Sequence, residues 1–288
     1  MLYSALLGNP VDHSVSPVLF RIFAEKANIE YAHLKINIPS KDRLHDSLVN
    51  LKKLGFCGIN ITLPYKLDIK NELDEISVEA RKIGAVNTVV FKKNKMIGYN
   101  TDARGALLTI EKKLRPILKS DKILVIGAGG AARAVIFELF KKCKNVTILN
   151  RDIKEANKIS SDFSFEANKI NVEILSDENL KKNLKECNFI INTTPVGMYP
   201  QNDDRIISKK VFSQFKDLKG KYFFDVIFNP YKTTFLVDAE KRGAKISSGT
   251  YMMIYQAIYA FKLWTGIDLK RLNIEEINNE LIVALQRH

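Results

Sequence analysis

Residues 123–132 read ILVIGAGGAA and stand near the middle of the chain. The apolar run Ile123–Ile126 has the look of a buried strand, and Gly127-x-Gly129-x-x-Ala132 turns it into the helical pattern AARAVIFELF. Glycine lets the backbone come close to a pyrophosphate, and the helix that follows offers free N–H groups and a positive dipole end. A strand–turn–helix of this kind confines the surrounding residues to a parallel α/β sheet. Its place in the chain adds a second constraint: about a hundred residues come first, enough for a domain of their own. The expected fold class is α/β with two domains, an open α/β substrate-binding domain and a Rossmann-type doubly wound dinucleotide-binding domain. The first would span 1–102, completed by 249–288, and the second would span 103–248.

Local patterns fill in this outline. Residues 1–8 read as a strand, Ser16-Pro17 as a helix start with serine as N-cap, and Tyr31–Ile38 as a strand. Arg43–Leu54 reads as an amphipathic helix closed by Gly55. In Gly58–Leu63, Ile59, Ile61 and Leu63 alternate with Asn60 and Thr62, and Pro64 ends the run. Val86–Phe91 and Met96–Tyr99 read as a hairpin. Asn145–Leu149, Phe189–Asn192, Tyr222–Phe228 and Ala244–Ser247 are the further strands expected around the glycine turn. A long apolar helix follows from Gly249 to Gly266.

Composition narrows the functional class. The 46% apolar and 27% charged fractions are those of a globular domain, and no apolar stretch reaches the length of a membrane span. The three cysteines lack any C-x-x-C spacing, so neither a disulfide framework nor a metal site is expected. With no signal-like N-terminus, the expected location is the cytoplasm. The net charge of +13 invites a nucleic-acid reading, but its lysine pairs are scattered rather than clustered. The basicity suits an anionic small molecule and a phosphate-bearing cofactor instead.

Five clusters carry chemistry. The glycine turn predicts a dinucleotide site. At the end of the next strand an NAD site would want an acid, whereas this chain offers Asn150-Arg151 and, one turn on, Lys154. A guanidinium grips a phosphate by forked hydrogen bonds, which predicts NADP. Ser14 and Ser16, beside a helix N-terminus, suit a carboxylate. Asn60 and Thr62 share one side of their strand, with Lys66 just beyond it. Asn87 begins another strand, and Asp102 stands at a helix N-terminus. A lysine and an aspartate that meet in a cleft can share a proton. Gln256 is a lone amide in an apolar helix and needs a partner, which backbone or a substrate hydroxyl could supply.

Together these motifs resemble the shikimate dehydrogenase family. GNPVDHSVSP, GINITLPYK, GAVNT, GYNTDARG, IGAGGAARA, NRDIK, NTTPVGM and DVIFNP occur in that family's order along nearly the whole chain. The resemblance implies NADPH-dependent reversible reduction of 3-dehydroshikimate to shikimate, in the route to chorismate. It implies Lys66 and Asp102 as the catalytic pair, and Ser14 and Ser16 as holders of the substrate carboxylate. Asn60, Thr62, Asn87, Asp102 and Gln256 would bind the ring hydroxyls. Gly127, Ala128, Gly129, Gly130, Ala131, Asn150, Arg151, Lys154, Thr193, Ile227, Gly249 and Met252 would bind the cofactor. No metal, nucleic acid or membrane partner is implied, and the protein would be a monomer or a homodimer. This chain departs from the pattern at Phe20-Arg21, where the family has His-Asn, and at Phe228, where it has tyrosine. It departs again at Tyr251, where the family has glycine. A quinate/shikimate dehydrogenase with broader cofactor use and a non-catalytic metabolite-binding relative are the competing readings; the intact Lys66 and Asp102 speak against the second.

Overall fold

The computed structural model describes residues 1–163 and 170–286, so the last two residues of the segment 249–288 lie outside the described ones. The chain divides into two compact units, 1–102 with 254–288, and 103–253.

The first unit is a six-stranded mixed sheet. Its elements are β1 (Leu2–Gly8), α1 (Ser16–Ala27), β2 (Tyr31–Asn37), α2 (Leu44–Lys53), β3 (Gly58–Ile61), β4 (Glu75–Ile76), α3 (Val78–Ile83), β5 (Thr88–Lys92) and β6 (Lys95–Tyr99). The strand order is β2-β1-β3-β5-β6-β4. β1 runs parallel to both neighbours and is buried from Ser4 to Gly8, as the run ALLG requires of a strand covered on both faces, with the Ser4 hydroxyl hydrogen-bonded to His33 and Tyr31. β5 is antiparallel to β3 and β6. Its hairpin turns on Lys93 and Asn94, both at positive φ, the geometry whose twist matches that of the strands. Leu44, Leu48, Ile59, Ile61, Tyr65 and Val89 belong to one core cluster. Elsewhere in the unit, Phe20 of α1 stacks on His33 at 4.2 Å and lies 5.3 Å from the Trp264 ring.

The second unit is a parallel sheet. α4 (Asp102–Thr109) leads into it, followed by β7 (Lys122–Ile126), α5 (Gly130–Lys142), β8 (Asn145–Asn150), α6 (Ile153–Asp162), β9 (Asn171–Ile174), α7 (Asp177–Glu186) and β10 (Phe189–Asn192). Then come α8 (Lys209–Phe212), β11 (Tyr222–Asp225), α9 (Thr234–Glu240), β12 (Lys245–Ser247), α10 (Gly249–Thr265) and α11 (Ile274–Leu285), the last two returning the chain to the first unit. The strand order is β12-β11-β10-β7-β8-β9, every pair parallel. β7 therefore sits where the winding reverses, between β10 and β8, and ligands of doubly wound sheets bind outside the strand ends at such a point. Among the described residues no helix is long and apolar enough to cross a membrane.

Four local expectations are corrected. Ser16 is not an N-cap: α1 begins on it, Val15 holds the cap position, and the Ser16 N–H donates to Ser14 Oγ at 3.2 Å. Ser14 Oγ thus satisfies the first N–H of the helix, which has no side-chain cap. β3 ends at Ile61, and all four of its residues are buried, so Thr62 and Leu63 belong to the turn that follows. The strand expected over Tyr222–Phe228 stops at Asp225, whose side chain folds back to accept from the Ile227 N–H. β9 and β4 are strands beyond those expected; both are short, and neither is fully buried at any position.

Candidate active site

The first unit gathers polar groups around Asp102. Lys66 lies in the turn after β3, and that turn is well held. The Tyr65 N–H donates to Thr62 O at 3.0 Å, the buried Tyr65 hydroxyl donates to Ile38 O at 2.7 Å, and Lys66 O accepts from the Val86 N–H at 2.9 Å. Asp102 opens α4, where free N–H groups and the helix dipole favour a carboxylate. Lys66 Nζ donates to Asp102 Oδ2 at 2.6 Å, with side-chain exposures of 17% and 7%. An ion pair this shielded from water is tightly coupled, and loss of either partner strands a charge.

Asn87 organises what surrounds the pair. Its Nδ2 donates to Asp102 Oδ1 at 2.7 Å and to Thr101 Oγ1 at 3.0 Å. Its Oδ1 accepts from the Thr101 N–H at 2.7 Å and from the Thr88 hydroxyl at 3.1 Å. Asn60 Nδ2 donates to Asn87 O at 3.2 Å and to Thr88 Oγ1 at 3.0 Å. Gln256 Oε1 accepts from the Thr101 hydroxyl at 3.1 Å. Lys66, Asp102, Asn87, Asn60 and Gln256 thus share one network, though they come from five separate stretches of the chain. Thr88 and Thr101 complete it. Both flank residues singled out by sequence, and a hydroxyl beside each was the available signal.

Two expected groups stand apart from these bonds. Ser14 and Ser16 are buried and bonded to each other, Ser14 Oγ donating to Ser16 Oγ at 3.1 Å. Thr62 turns its methyl toward Gly8, where an added Cβ would come within 2.3 Å of it.

The second unit presents its polar groups at the carboxyl ends of its strands. Gly127 follows β7 at φ +110°, and a Cβ there would meet Thr193 Oγ1 at 2.6 Å. Thr193 is fixed by two bonds to Ile126 O, from its N–H at 2.9 Å and its hydroxyl at 2.7 Å. Gly129 is different: a Cβ built there finds open space. It is the N-cap of α5 and supplies no side-chain acceptor, so the first N–H groups of the helix, from Gly130 on, have no side-chain cap. A backbone bare of side chain at the mouth of a helix, next to Ala128, fits a pyrophosphate. Asn150 closes β8 and donates to Asp152 O at 2.9 Å and Glu155 Oε2 at 3.0 Å. Arg151 and Lys154 are exposed, and among the described residues neither has an ion-pair partner. Two cations left open at a helix start fit a phosphate monoester.

Ile227, Gly249 and Met252 are buried or packed. Gly249 needs to be glycine because a Cβ would press within 2.2 Å of Val226 O, and its N–H donates to Ile227 O at 3.0 Å. The Tyr251 ring, at the position of the departure, carries the Lys113 ammonium 4.0 Å from its centroid.

Known proteins resemble this chain along nearly its whole length. Residues 6–89 match the family model described as the shikimate dehydrogenase substrate binding domain. Residues 109–228 match the shikimate / quinate 5-dehydrogenase model, and 249–275 the shikimate 5′-dehydrogenase C-terminal domain. The shikimate dehydrogenase (NADP(+)) of Methanococcus maripaludis is 42% identical over 91% of this chain and 90% of its own. The chain belongs to the shikimate dehydrogenase family. A shikimate dehydrogenase crystallised with NADP+ superimposes with a TM-score of 0.88 at 34% identity, over 99% of this chain and 96% of that one. The Thermus thermophilus shikimate 5-dehydrogenase, solved with NADP(H) and shikimate, gives 0.83 at 30% identity, over 100% and 99%. The resemblance read from the motifs is therefore a family membership, and the α/β pair of a substrate-binding unit and a Rossmann-type unit is the family's architecture.

Proposed function

We propose that this chain is an NADP-dependent oxidoreductase that interconverts 3-dehydroshikimate and shikimate, with Lys66 and Asp102 as its proton-handling pair. The observation that carries this reading is the 2.6 Å bond from Lys66 Nζ to Asp102 Oδ2, shielded from solvent and surrounded by hydroxyl and amide groups. Such a setting suits a polyhydroxylated ring, because each ring hydroxyl needs both a donor and an acceptor.

Reduction of a ketone to an alcohol needs a hydride on carbon and a proton on oxygen. When bound, the reduced nicotinamide supplies the hydride. Lys66 gives its proton to the developing alkoxide, and in the reverse direction takes it from the hydroxyl. Asp102 holds the ammonium in place, and Asn87 fixes the rotation of Asp102 through its other oxygen. Asn60, Thr62, Asn87, Asp102 and Gln256 meet the ring hydroxyls. Ser14 and Ser16 receive the carboxylate at the start of α1: Ser14 already donates to Ser16, which leaves the Ser16 O–H for the substrate.

The residues present fit the cofactor. Gly127, Ala128, Gly129, Gly130 and Ala131 would hold the pyrophosphate, with Thr193, Ile227, Gly249 and Met252 along the other strand ends. Arg151 and Lys154 would hold the 2′-phosphate, flanked by Asn150. The three free cysteines suit the cytoplasm, where the protein would act as a monomer or a homodimer.

The test is a rate assay at the reduced-nicotinamide absorbance. Shikimate with NADP+ should give turnover, with NAD+ and quinate each much poorer. Turnover favouring quinate or NAD+ would point to the broader quinate/shikimate activity. No turnover with any pair would overturn the assignment.

A further inference from the structure

Asp225 is a carboxylic acid in the second unit that none of the roles above uses. It ends β11 and is fully buried. Its three partners are neutral. Oδ1 accepts from Asn192 Nδ2 at 3.1 Å and from the Ile227 N–H at 3.0 Å, while Oδ2 accepts from the Thr233 hydroxyl at 2.6 Å. Burial pushes this carboxyl up to about 7. A carboxyl buried this deeply, with no cation against it among the described residues, is poor material for a core, where an apolar side chain would stabilise more.

What the group does is join two loops. Asn192 ends β10, and its Oδ1 accepts from the Thr194 N–H at 3.0 Å and the Thr194 hydroxyl at 2.7 Å. The Thr193 next to it is bonded to Ile126 O and abuts Gly127. On the other side, Ile227 follows Asp225, and its carbonyl accepts the Gly249 N–H. A single chain of contacts therefore runs from the Gly127 turn through Thr193, Asn192, Asp225 and Ile227 to Gly249. It ties together the carboxyl ends of β7, β10 and β11 and the start of α10.

In a doubly wound sheet the pyrophosphate sits at the first turn and the adenosine ribose at the end of the second strand. Here those are Gly127–Gly130 and Asn150–Arg151, on the β7–β8 side. The β10–β11 side is left for the nicotinamide half. We propose that Asp225, through Asn192 and Ile227, is a positioning residue that holds the two loops against which the nicotinamide half of the cofactor rests. This deepens the NADP-dependent reading and rests on it.

The test compares two probes: NADPH, which spans both halves, and 2′,5′-ADP, which has only the adenosine half. Binding is measured directly, without shikimate. Wild-type affinity for both probes comes first; its absence would sink the NADP reading rather than this one. Asp225→Ala should weaken NADPH by about ten-fold or more and leave 2′,5′-ADP within about two-fold, since loss of a buried acceptor frees several donors together. Asp225→Asn, which can still accept from Asn192 and Ile227, should recover most of the loss. Asn192→Ala cuts the same tie from the other loop and decides the matter if Asp225→Ala does not fold; it should again weaken NADPH selectively. A merely structural carboxyl would lower both affinities together, or neither, and either result overturns the proposal.

Discussion

Asn87 Nδ2 donates to Asp102 Oδ1 across 2.7 Å, on the carboxylate oxygen that Lys66 does not occupy. One amide thereby sets the rotation of the carboxylate, and the carboxylate sets the position of the ammonium. Both ends of that amide are in use, because Asn87 Oδ1 takes the Thr101 N–H at 2.7 Å, next to Asp102 in sequence.

Removing the amide should therefore harm both chemistry and folding. Asn87→Ala is expected to lower kcat by about ten-fold or more, the equivalent of about 1.4 kcal/mol. It should also lower the unfolding temperature, since the Thr101 N–H would be left buried without an acceptor. Steady-state kinetics and thermal unfolding check the two effects. An unchanged kcat would show that Asp102 does not need this orientation.

Gly127 and Gly129 should respond in opposite ways to the same methyl. At Gly127 an alanine meets both a positive φ and the Thr193 hydroxyl at 2.6 Å, so Gly127→Ala should cost on the order of 1–3 kcal/mol of stability. At Gly129 the methyl finds open space and an ordinary backbone, so Gly129→Ala should unfold at the wild-type temperature. It should nevertheless weaken NADPH, because the methyl occupies the approach to the α5 amides. Thermal unfolding beside NADPH titration separates the pair; loss of stability at Gly129 would contradict it.

Arg151→Ala should weaken NADPH by at least about ten-fold and leave NADH within about two-fold, because only the former carries the phosphate a guanidinium forks onto. Parallel binding titrations check this. Equal losses would remove Arg151 from the phosphate site.

His33 sets an acid-side limit on the first unit. It is buried, its Nδ1 lies 2.6 Å from Ser4 Oγ, and its Nε2 has no hydrogen-bond partner among the described residues. Burial pushes its imidazole from 6.5 down to about 3. Between those values the unfolded chain takes up a proton that the folded chain refuses, so stability falls as pH drops through the window. His33→Gln should lose less stability than wild type from pH about 6.5 to 4, measured by denaturant unfolding. Parallel curves would remove His33 as a cause.

Much of this was legible in the sequence because the informative residues are neighbours. The apolar run into Gly127, the alternation around Asn60 and Asp102 at its helix start declare themselves within a few positions. The structure adds what depends on distant partners. The Thr88 hydroxyl stands beside Asn87 in sequence, but its bond to Asn60 does not show there, and nothing local marks Asp225 as a tie between loops. Ser16 misleads for the reverse reason: its sequence is that of a cap, but the helix starts one position earlier than that reading needs, and the Ser16 N–H is itself one of its first amides, bonded to Ser14 Oγ. β9 is hidden in the sequence because its residues, NVEI, are half-exposed or exposed and lack a buried face to give them a pattern.

In the proposed reaction, Lys66 is the group that moves the proton. The most direct measurement is kcat and KM of Lys66→Ala with shikimate at saturating NADP+. It should show a kcat lower by about 10²- to 10⁴-fold, with the shikimate KM within a few-fold of wild type. A near-normal kcat with a greatly raised KM would make Lys66 a binding residue only and remove it from the proton transfer.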